Sequence, residues 1–171
     1  MAAGVYLSIP FCRQKCTYCN FASEARAFST LPGYLDALQK EILDSPEQYE
    51  RAGLPRHERA PVDSIYLGGG TPGILNGEQL SKLRAAIATR FSLASDTEFT
   101  IEASPENATR ERTVQWAAAG VNRVSMGVQS MVPYELRAVG RQHTAQDVVR
   151  ACSNLRDAGI ANISVDLIAG L

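Results

Sequence analysis

The sequence lacks an excess of charge of either sign. Lysine and arginine total 17 against 18 acidic residues, which leaves a net charge of −1. Such a balance does not favour nucleic acid or an anionic membrane surface as a partner. No apolar run approaches the roughly 20 residues that span a bilayer. The N-terminus also lacks the basic residues and long apolar core of a signal peptide. We therefore expect a cytoplasmic protein with no transmembrane segment.

Histidine and cysteine are scarce outside one short segment. The chain has two histidines and four cysteines. In a reducing compartment, cysteines indicate metal binding or catalysis before they indicate disulfides. Cys12, Cys16 and Cys19 lie within eight residues of one another. Cys152 lies on the apolar face of a predicted helix, where we expect it to pack as a small hydrophobic residue.

Length and periodicity predict one α/β domain. The 171 residues are 45% hydrophobic and 20% charged, which suits a single soluble core. Short apolar segments alternate with longer amphipathic ones, so we expect parallel strands joined by helices. This pattern fits either a doubly wound sheet or part of a β/α barrel. The predicted strands are Val5–Pro10, Ser64–Leu67, Glu98–Ala103, Arg123–Val128 and Asn162–Ile168; the predicted helices are Tyr34–Leu43, Gln79–Phe91, Thr113–Ala119 and Asp147–Ala158, with Ser45–Pro61 as a surface loop.

Residues with useful chemistry recur where the predicted strands end. Parallel α/β folds bind ligands at the carboxyl ends of their strands. The five strands in turn lead to Cys12, the turn Gly68–Pro72, Glu102, Gln129 and Asp166. The sequence therefore predicts a single site at this end of the sheet.

The spacing of the three clustered cysteines, C-x3-C-x2-C, favours an iron–sulfur cluster. Structural zinc takes four ligands, commonly as two pairs, so zinc would need Cys152, His57 or His143 as a fourth. A disulfide would leave one thiol over. Closely spaced cysteine thiolates are the ordinary ligands of iron–sulfur clusters. Three of them would leave one iron of a cubane free to bind a substrate.

The cysteine segment CRQKCTYCNF resembles the signature of the radical S-adenosylmethionine (SAM) superfamily. The segments VYLSIPFC, YLGGGTP, FTIEASPE, VSMGVQS, GRQHT and ISVDLIAGL are similar, in this order, to one branch of it. That branch holds the oxygen-independent coproporphyrinogen III oxidases and the haem chaperones of the HemW family. The resemblance covers nearly the whole chain.

The resemblance implies a fold and two cofactors. The expected fold is a partial (β/α) barrel that stops after the fifth strand. Residues 1–171 would form an incomplete radical SAM core, with a sixth βα unit and a C-terminal domain beyond it. In the superfamily, a [4Fe–4S] cluster with one open iron binds SAM, and the reduced cluster cleaves SAM to a 5′-deoxyadenosyl radical.

The resemblance also implies a set of site residues. The three clustered cysteines would ligate the metal, and the Gly-rich turn would receive the methionine end of SAM. Asp166 would offer a carboxylate to ribose hydroxyls or amines. The residues implied to bind cofactor are Tyr6, Tyr18, Gly69, Gly70, Thr71, Glu102, Gln129, Arg141 and Asp166.

Several of these residues have simpler interpretations when they are considered alone. A Gly-rich turn is often only a turn, and Glu102 could be a solvated carboxylate. Tyr6 suits packing as well as binding. His143 precedes a helix and suits a capping or surface role, while Trp116 and Met126 suit the core.

Two features favour the haem chaperones over the oxidases. The oxidases usually carry a further cysteine where this chain has Phe21, and they have a longer segment before the cysteine loop. We therefore expect a HemW-like protein that binds haem and delivers it to a recipient protein. The first alternative is the oxidase, which converts two propionates to vinyl groups in porphyrin biosynthesis, and the second is a truncated fragment without function. The haem-binding motif of HemW would lie beyond Leu171, and neither the haem recipient nor the electron donor is identified.

Overall fold

The computed structural model describes residues 3–23, 28–53 and 61–170. His57 lies outside these residues. In the described part, five strands alternate with helices along the chain. The elements are β1 (Ala3–Ile9), α1 (Leu31–Arg51), β2 (Val62–Gly69), α2 (Gly77–Arg90), β3 (Leu93–Ala103), α3 (Arg110–Ala118), β4 (Arg123–Gln129), α4 (Pro133–Ala138), α5 (Ala145–Asp157) and β5 (Asn162–Leu167), with short 3-10 turns at Phe28–Thr30, Pro72–Ile74 and Pro105–Asn107.

The strands form one parallel sheet in the order β1-β2-β3-β4-β5. A doubly wound sheet would reverse its strand order at a switch point. No such reversal occurs here, because each strand pairs with the next one along the chain. The arrangement confirms the α/β class and the partial barrel that we expected.

The two faces of the sheet differ sharply in polarity. Side chains alternate between the faces of a strand, and one face carries Leu67, Ile101 and Met126, all buried. This face packs against the helices in a core that includes Ile87 and Trp116. The opposite face carries mainly hydroxyl, carboxyl and small side chains, among them Tyr66, Glu102, Ser125, Gly127 and Asp166.

Two helices begin at reciprocal caps. The side chain of Asn76 accepts a hydrogen bond from the backbone N–H of Gln79, and the Gln79 side chain accepts one in return. Thr144 and Asp147 form the same reciprocal pair at the start of α5. Each pair satisfies backbone donors that the helix itself leaves free.

The prediction of a loop over Ser45–Pro61 is wrong for its first part. Helix α1 continues through Pro46 to Arg51. Proline lacks the N–H that would bond to the carbonyl four residues before it, here that of Ile42. The hydroxyl of Ser45 donates to this same oxygen at 2.8 Å, so the interruption is repaired locally. Residues 54–60 lie outside the described part.

One other element also differs from prediction. The short helix α4 was not predicted, and it follows β4 through Pro133 at its first turn.

In the described ranges, no helix is long and apolar enough to cross a membrane. Cys152 is partly buried and packs against the core, in agreement with its expected role.

Candidate functional site

The three clustered cysteines line one cavity together with polar residues from the strand ends. The cavity has a volume of about 200 Å³. Of the residues proposed to bind cofactor, Tyr6 does not line it. The others do: Tyr18, Gly69, Gly70, Thr71, Glu102, Gln129, Arg141 and Asp166.

A larger cavity of about 660 Å³ adjoins the first one. The two share Cys16, Thr71 and Arg141 in their walls. The shared wall lies at the carboxyl end of the sheet. The cysteine loop therefore has open space at more than one side.

Each of the three cysteine sulfurs has its own polar neighbour. The hydroxyl of Thr71 donates to the sulfur of Cys12 at 3.7 Å. A guanidinium N–H of Arg141 donates to the sulfur of Cys16, also at 3.7 Å. The hydroxyl of Ser23 lies 3.8 Å from the sulfur of Cys19. Donors placed around metal-ligating sulfurs orient them and tune the metal.

Ser23 and Tyr18 complete the surroundings of the loop. Sequence reasoning missed Ser23, which is buried although it lies among exposed loop residues. Burial, and to a smaller extent a hydrogen bond with Cys16, raises the pKa of Tyr18 to about 12. Tyr18 therefore remains a neutral phenol beside the thiols at ordinary pH.

The Gly-rich turn packs directly against the backbone of the cysteine loop. The amide of Thr71 donates to the carbonyl of Phe11 at 2.9 Å. A methyl group at Gly70 would lie 2.6 Å from the carbonyl oxygen of Ile9 and 2.8 Å from the backbone nitrogen and oxygen of Phe11. Only glycine permits this approach. The turn thus fixes the point at which the loop leaves β1.

Glu102 is held by two donors at the mouth of this turn. Its carboxylate accepts the hydroxyl proton of Tyr66 at 2.9 Å and the amide of Gly69 at 3.2 Å. Burial raises the pKa of Glu102, although both hydrogen bonds act in the opposite direction. Burial and the bond to Glu102 raise the pKa of Tyr66 to about 12. Glu102 is therefore not the freely solvated carboxylate of the simpler interpretation.

The aromatic rings of Tyr6 and Tyr66 stack beside Glu102. Their centroids are 5.9 Å apart, with an angle of 14° between the planes. Tyr6 is 59% exposed, so it is not a core tyrosine. Sequence reasoning missed Tyr66, although it lies two residues before Gly68 and so shares its face of the strand. That period of two was the available signal.

Asp166 lies on the polar face, where it is exposed to solvent. The hydroxyl of Ser125 donates to the Asp166 carboxylate at 3.4 Å, and Ser164 donates to Ser125 at 3.3 Å. The strand alternates, and both serines share the face of Asp166.

Gln129 and Arg141 approach each other over Gly127. A guanidinium N–H of Arg141 donates to the carbonyl of Gly127. A methyl group at Gly127 would lie 2.9 Å from the side-chain nitrogen of Gln129 and 3.6 Å from that of Arg141. The absence of a side chain at Gly127 therefore admits both polar groups to the cavity.

The capping or surface role suggested for His143 is wrong. Its side chain is fully buried, and its Nε2 lies 2.9 Å from the carbonyl oxygen of Val128. Position in the sequence did not reveal this, because the contact joins residues 15 apart in the chain. Thr144, the next residue, is the cap of α5.

The three cysteines are the candidate metal ligands of the cavity. Among residues 3–23, 28–53 and 61–170, no three His, Cys, Asp or Glu side chains gather as ligands of one metal ion. A cubane places a different demand on the protein, since each cysteine binds a separate iron. Three cysteines around one cavity, each with a polar neighbour at its sulfur, fit this demand.

A family model that matches nearly all of the chain identifies its family. The profile of the Radical SAM superfamily matches residues 6–171. The chain belongs to the radical SAM superfamily. Membership implies a [4Fe–4S] cluster and SAM as cofactors.

Particular radical SAM proteins are similar over the same length. The chain is 36% identical to the heme chaperone HemW of Escherichia coli over 169 residues, which are 98% of this chain and 43% of that protein. It is 35% identical to an oxygen-independent coproporphyrinogen III oxidase of Bradyrhizobium diazoefficiens, over 99% of this chain and 36% of that one.

A solved radical SAM structure has the same fold. The coproporphyrinogen III oxidase HemN of Escherichia coli superposes with a TM-score of 0.83 and 32% identity, over 99% of this chain and 37% of that one. The chain thus spans less than half the length of these relatives.

Proposed function

We propose that this chain is the cofactor-binding core of a HemW-like haem chaperone. In this proposal, Cys12, Cys16 and Cys19 hold a [4Fe–4S] cluster, and the protein delivers haem to a recipient protein. The observation that carries the cofactor part is the shared cavity, in which three cysteines face the polar groups of four strand ends.

Different residues around the cavity suit different chemical groups of SAM. Glu102 offers a carboxylate that Tyr66 and Gly69 already orient, which suits an ammonium group. Asp166 offers a second carboxylate at the edge strand, which suits hydroxyls or amines. The side chains of Arg141 and Gln129 each add hydrogen-bond donors. A reduced cluster held by the three cysteines would supply the electron that cleavage of SAM requires.

Two observations bear on the choice between chaperone and oxidase. Phe21 is 66% exposed and lines the cavity at the position where the oxidases usually carry a further cysteine. The similarity to several proteins named HemW supports the chaperone. The oxidase remains the second candidate, because the solved structure with a TM-score of 0.83 is an oxidase.

Anaerobic reconstitution with iron and sulfide tests the cluster. We expect about four irons per chain for a cubane held by three cysteines, and loss of most of that iron in Cys16→Ser. The matched control is Cys152→Ala, which removes the thiol outside the loop and should keep the iron. One zinc per chain in place of iron would contradict the proposal.

Haem binding and turnover, measured side by side, separate the two candidates. The chaperone proposal expects haem to bind and then transfer to a recipient, with no conversion of coproporphyrinogen III in the presence of SAM and reductant. Sustained conversion would establish the oxidase instead. The protein used should be the longest natural form that contains these residues.

A further inference from the structure

Gln129 has a backbone conformation that side chains rarely adopt. Its φ is +69°, and within the described ranges it is the one non-glycine residue with positive φ. The left-handed region is unfavourable for a residue with a Cβ. Strain of this kind persists where surrounding contacts enforce it, and it clusters at functional sites.

Backbone hydrogen bonds on both sides enforce the conformation. The amide of Ser130 donates to the carbonyl of Val128 at 2.9 Å, which closes a three-residue turn around Gln129. The amide of Ile168 donates to the carbonyl of Gln129, also at 2.9 Å. The pairing of β4 with β5 shifts register at this point, as it does at a bulge.

His143 adds a side-chain hydrogen bond to the same turn. Its Nε2 lies 2.9 Å from the carbonyl of Val128. A carbonyl can only accept, so Nε2 must carry the proton. Burial, and then the charge of Arg141, lower the pKa of His143, which keeps the ring neutral with Nδ1 unprotonated. In the part of the chain that the structure describes, Nδ1 has no hydrogen-bond partner, and Glu106 is 3.7 Å away.

One loop therefore clamps two successive carbonyls of β4. Arg141 donates to Gly127, and His143 donates to Val128. The next residue after Val128 is Gln129. Its side-chain amide nitrogen lies over Gly127 in the cysteine-lined cavity. A rotation of the peptide between Val128 and Gln129 would move the side-chain amide of Gln129 away from the cavity.

We propose that His143 is a positioning residue that holds Gln129 in its left-handed conformation and so aims the Gln129 amide at bound SAM. This inference rests on the proposed function, in which Gln129 contacts SAM. His143 itself does not line the cysteine-lined cavity, so it acts only through Gln129.

Two substitutions separate the hydrogen bond from the volume of the ring. His143→Leu keeps an apolar group of similar size but loses the donor. His143→Gln keeps an N–H close to the position of Nε2. After anaerobic reconstitution, we expect His143→Leu to retain its iron and to weaken SAM binding about tenfold, as for one lost polar contact. His143→Gln should restore most of the affinity.

A control and a double variant exclude a purely structural role. Asn154→Leu also removes a side-chain bond to a carbonyl, that of Ala108, but it lies on α5 outside the cysteine-lined cavity. It should lower stability without a change in SAM affinity. In a Gln129→Ala background, His143→Leu should weaken SAM binding no further, because the two residues act as one unit.

Unfolding measurements test the same idea without SAM. Gln129→Gly should raise the urea midpoint above that of Gln129→Ala, since glycine adopts positive φ freely. It should also reduce the loss of stability caused by His143→Leu. Equal midpoints for glycine and alanine would overturn the inference, as would additive effects of His143→Leu and Gln129→Ala on SAM affinity. A parent protein that holds its cluster but binds no SAM would instead overturn the proposed function.

Discussion

Single side chains at the strand ends set the shape and charge of the cavity. Gly70 lets the Gly-rich turn touch the cysteine loop, and Gly127 leaves room for Gln129 and Arg141. Tyr66 holds the carboxylate of Glu102 toward the same space. At this scale, a change of one methyl or hydroxyl group is expected to alter cofactor binding.

Gly70→Ala tests the contact between turn and loop. The added methyl would meet backbone atoms of Ile9 and Phe11, which cannot move aside as a side chain can. We expect a loss of about 1–3 kcal/mol in unfolding free energy, and less bound iron after reconstitution. The matched control is Gly33→Ala in α1, where nothing lies within 4 Å of the added methyl. It should gain about 0.5–1 kcal/mol; equal iron content and stability in the two variants would refute the argument.

Tyr66→Phe tests the control of Glu102 ionisation. The hydrogen bond from Tyr66 lowers the pKa of Glu102 against the effect of burial, so its removal should raise that pKa further. SAM binding that needs the carboxylate is lost as pH falls through this pKa. The acid limb of SAM affinity against pH should therefore move to higher pH. Tyr134→Phe, at an exposed tyrosine of α4, should leave the profile in place.

The helices differ in how far neighbouring residues in the sequence specify where they begin and end. Helices α2 and α5 begin at reciprocal caps that four consecutive residues specify. The second half of α1 does not follow from local rules, because Pro46 predicts an end. There the hydroxyl of Ser45 donates to the carbonyl of Ile42, and the side chain of Ile42 is buried in the core.

A double-mutant cycle on Ser45 and Pro46 tests this repair. Ser45→Ala alone should cost about 1 kcal/mol, because it leaves the Ile42 carbonyl without its donor. In a Pro46→Ala background, the restored backbone N–H takes over this role, so Ser45→Ala should be nearly neutral. Urea unfolding measures both steps. A cost that is the same in the two backgrounds would show that the hydroxyl does not compensate for the proline.

At the scale of the whole molecule, β5 is an edge strand of the described sheet and carries exposed apolar side chains. Strand β5 pairs only with β4 in the described ranges, and its Val165 and Leu167 are 47% and 64% exposed. Open edges of this kind promote association with further strands. The polar face of the same sheet stays open as the inner side of the partial barrel.

A polypeptide of residues 1–171 expressed alone should therefore self-associate through β5. We expect sedimentation velocity to show concentration-dependent dimers or larger species. The double variant Val165→Lys and Leu167→Lys should remain monomeric, because charged side chains on an edge oppose strand addition. Val114→Lys and Val149→Lys, at exposed valines of α3 and α5, serve as the control and should not prevent association. Association that survives the β5 double variant would place the contact elsewhere.

The sequence by itself determined the α/β class, the cysteine motif and the strand ends at which Glu102, Gln129 and Asp166 lie. These follow from periods of two and 3.6 and from motifs whose residues are neighbours in the chain. Periodicity left the barrel-type and the doubly wound strand orders open; the family resemblance favoured the barrel, and the tertiary structure confirmed it. Only the tertiary structure revealed Tyr66 beside Glu102, Ser23 beside Cys19 and buried His143 beside the carbonyl of Val128. These contacts depend on strand register, on the path of the loops and on a strained peptide, none of which a local pattern specifies.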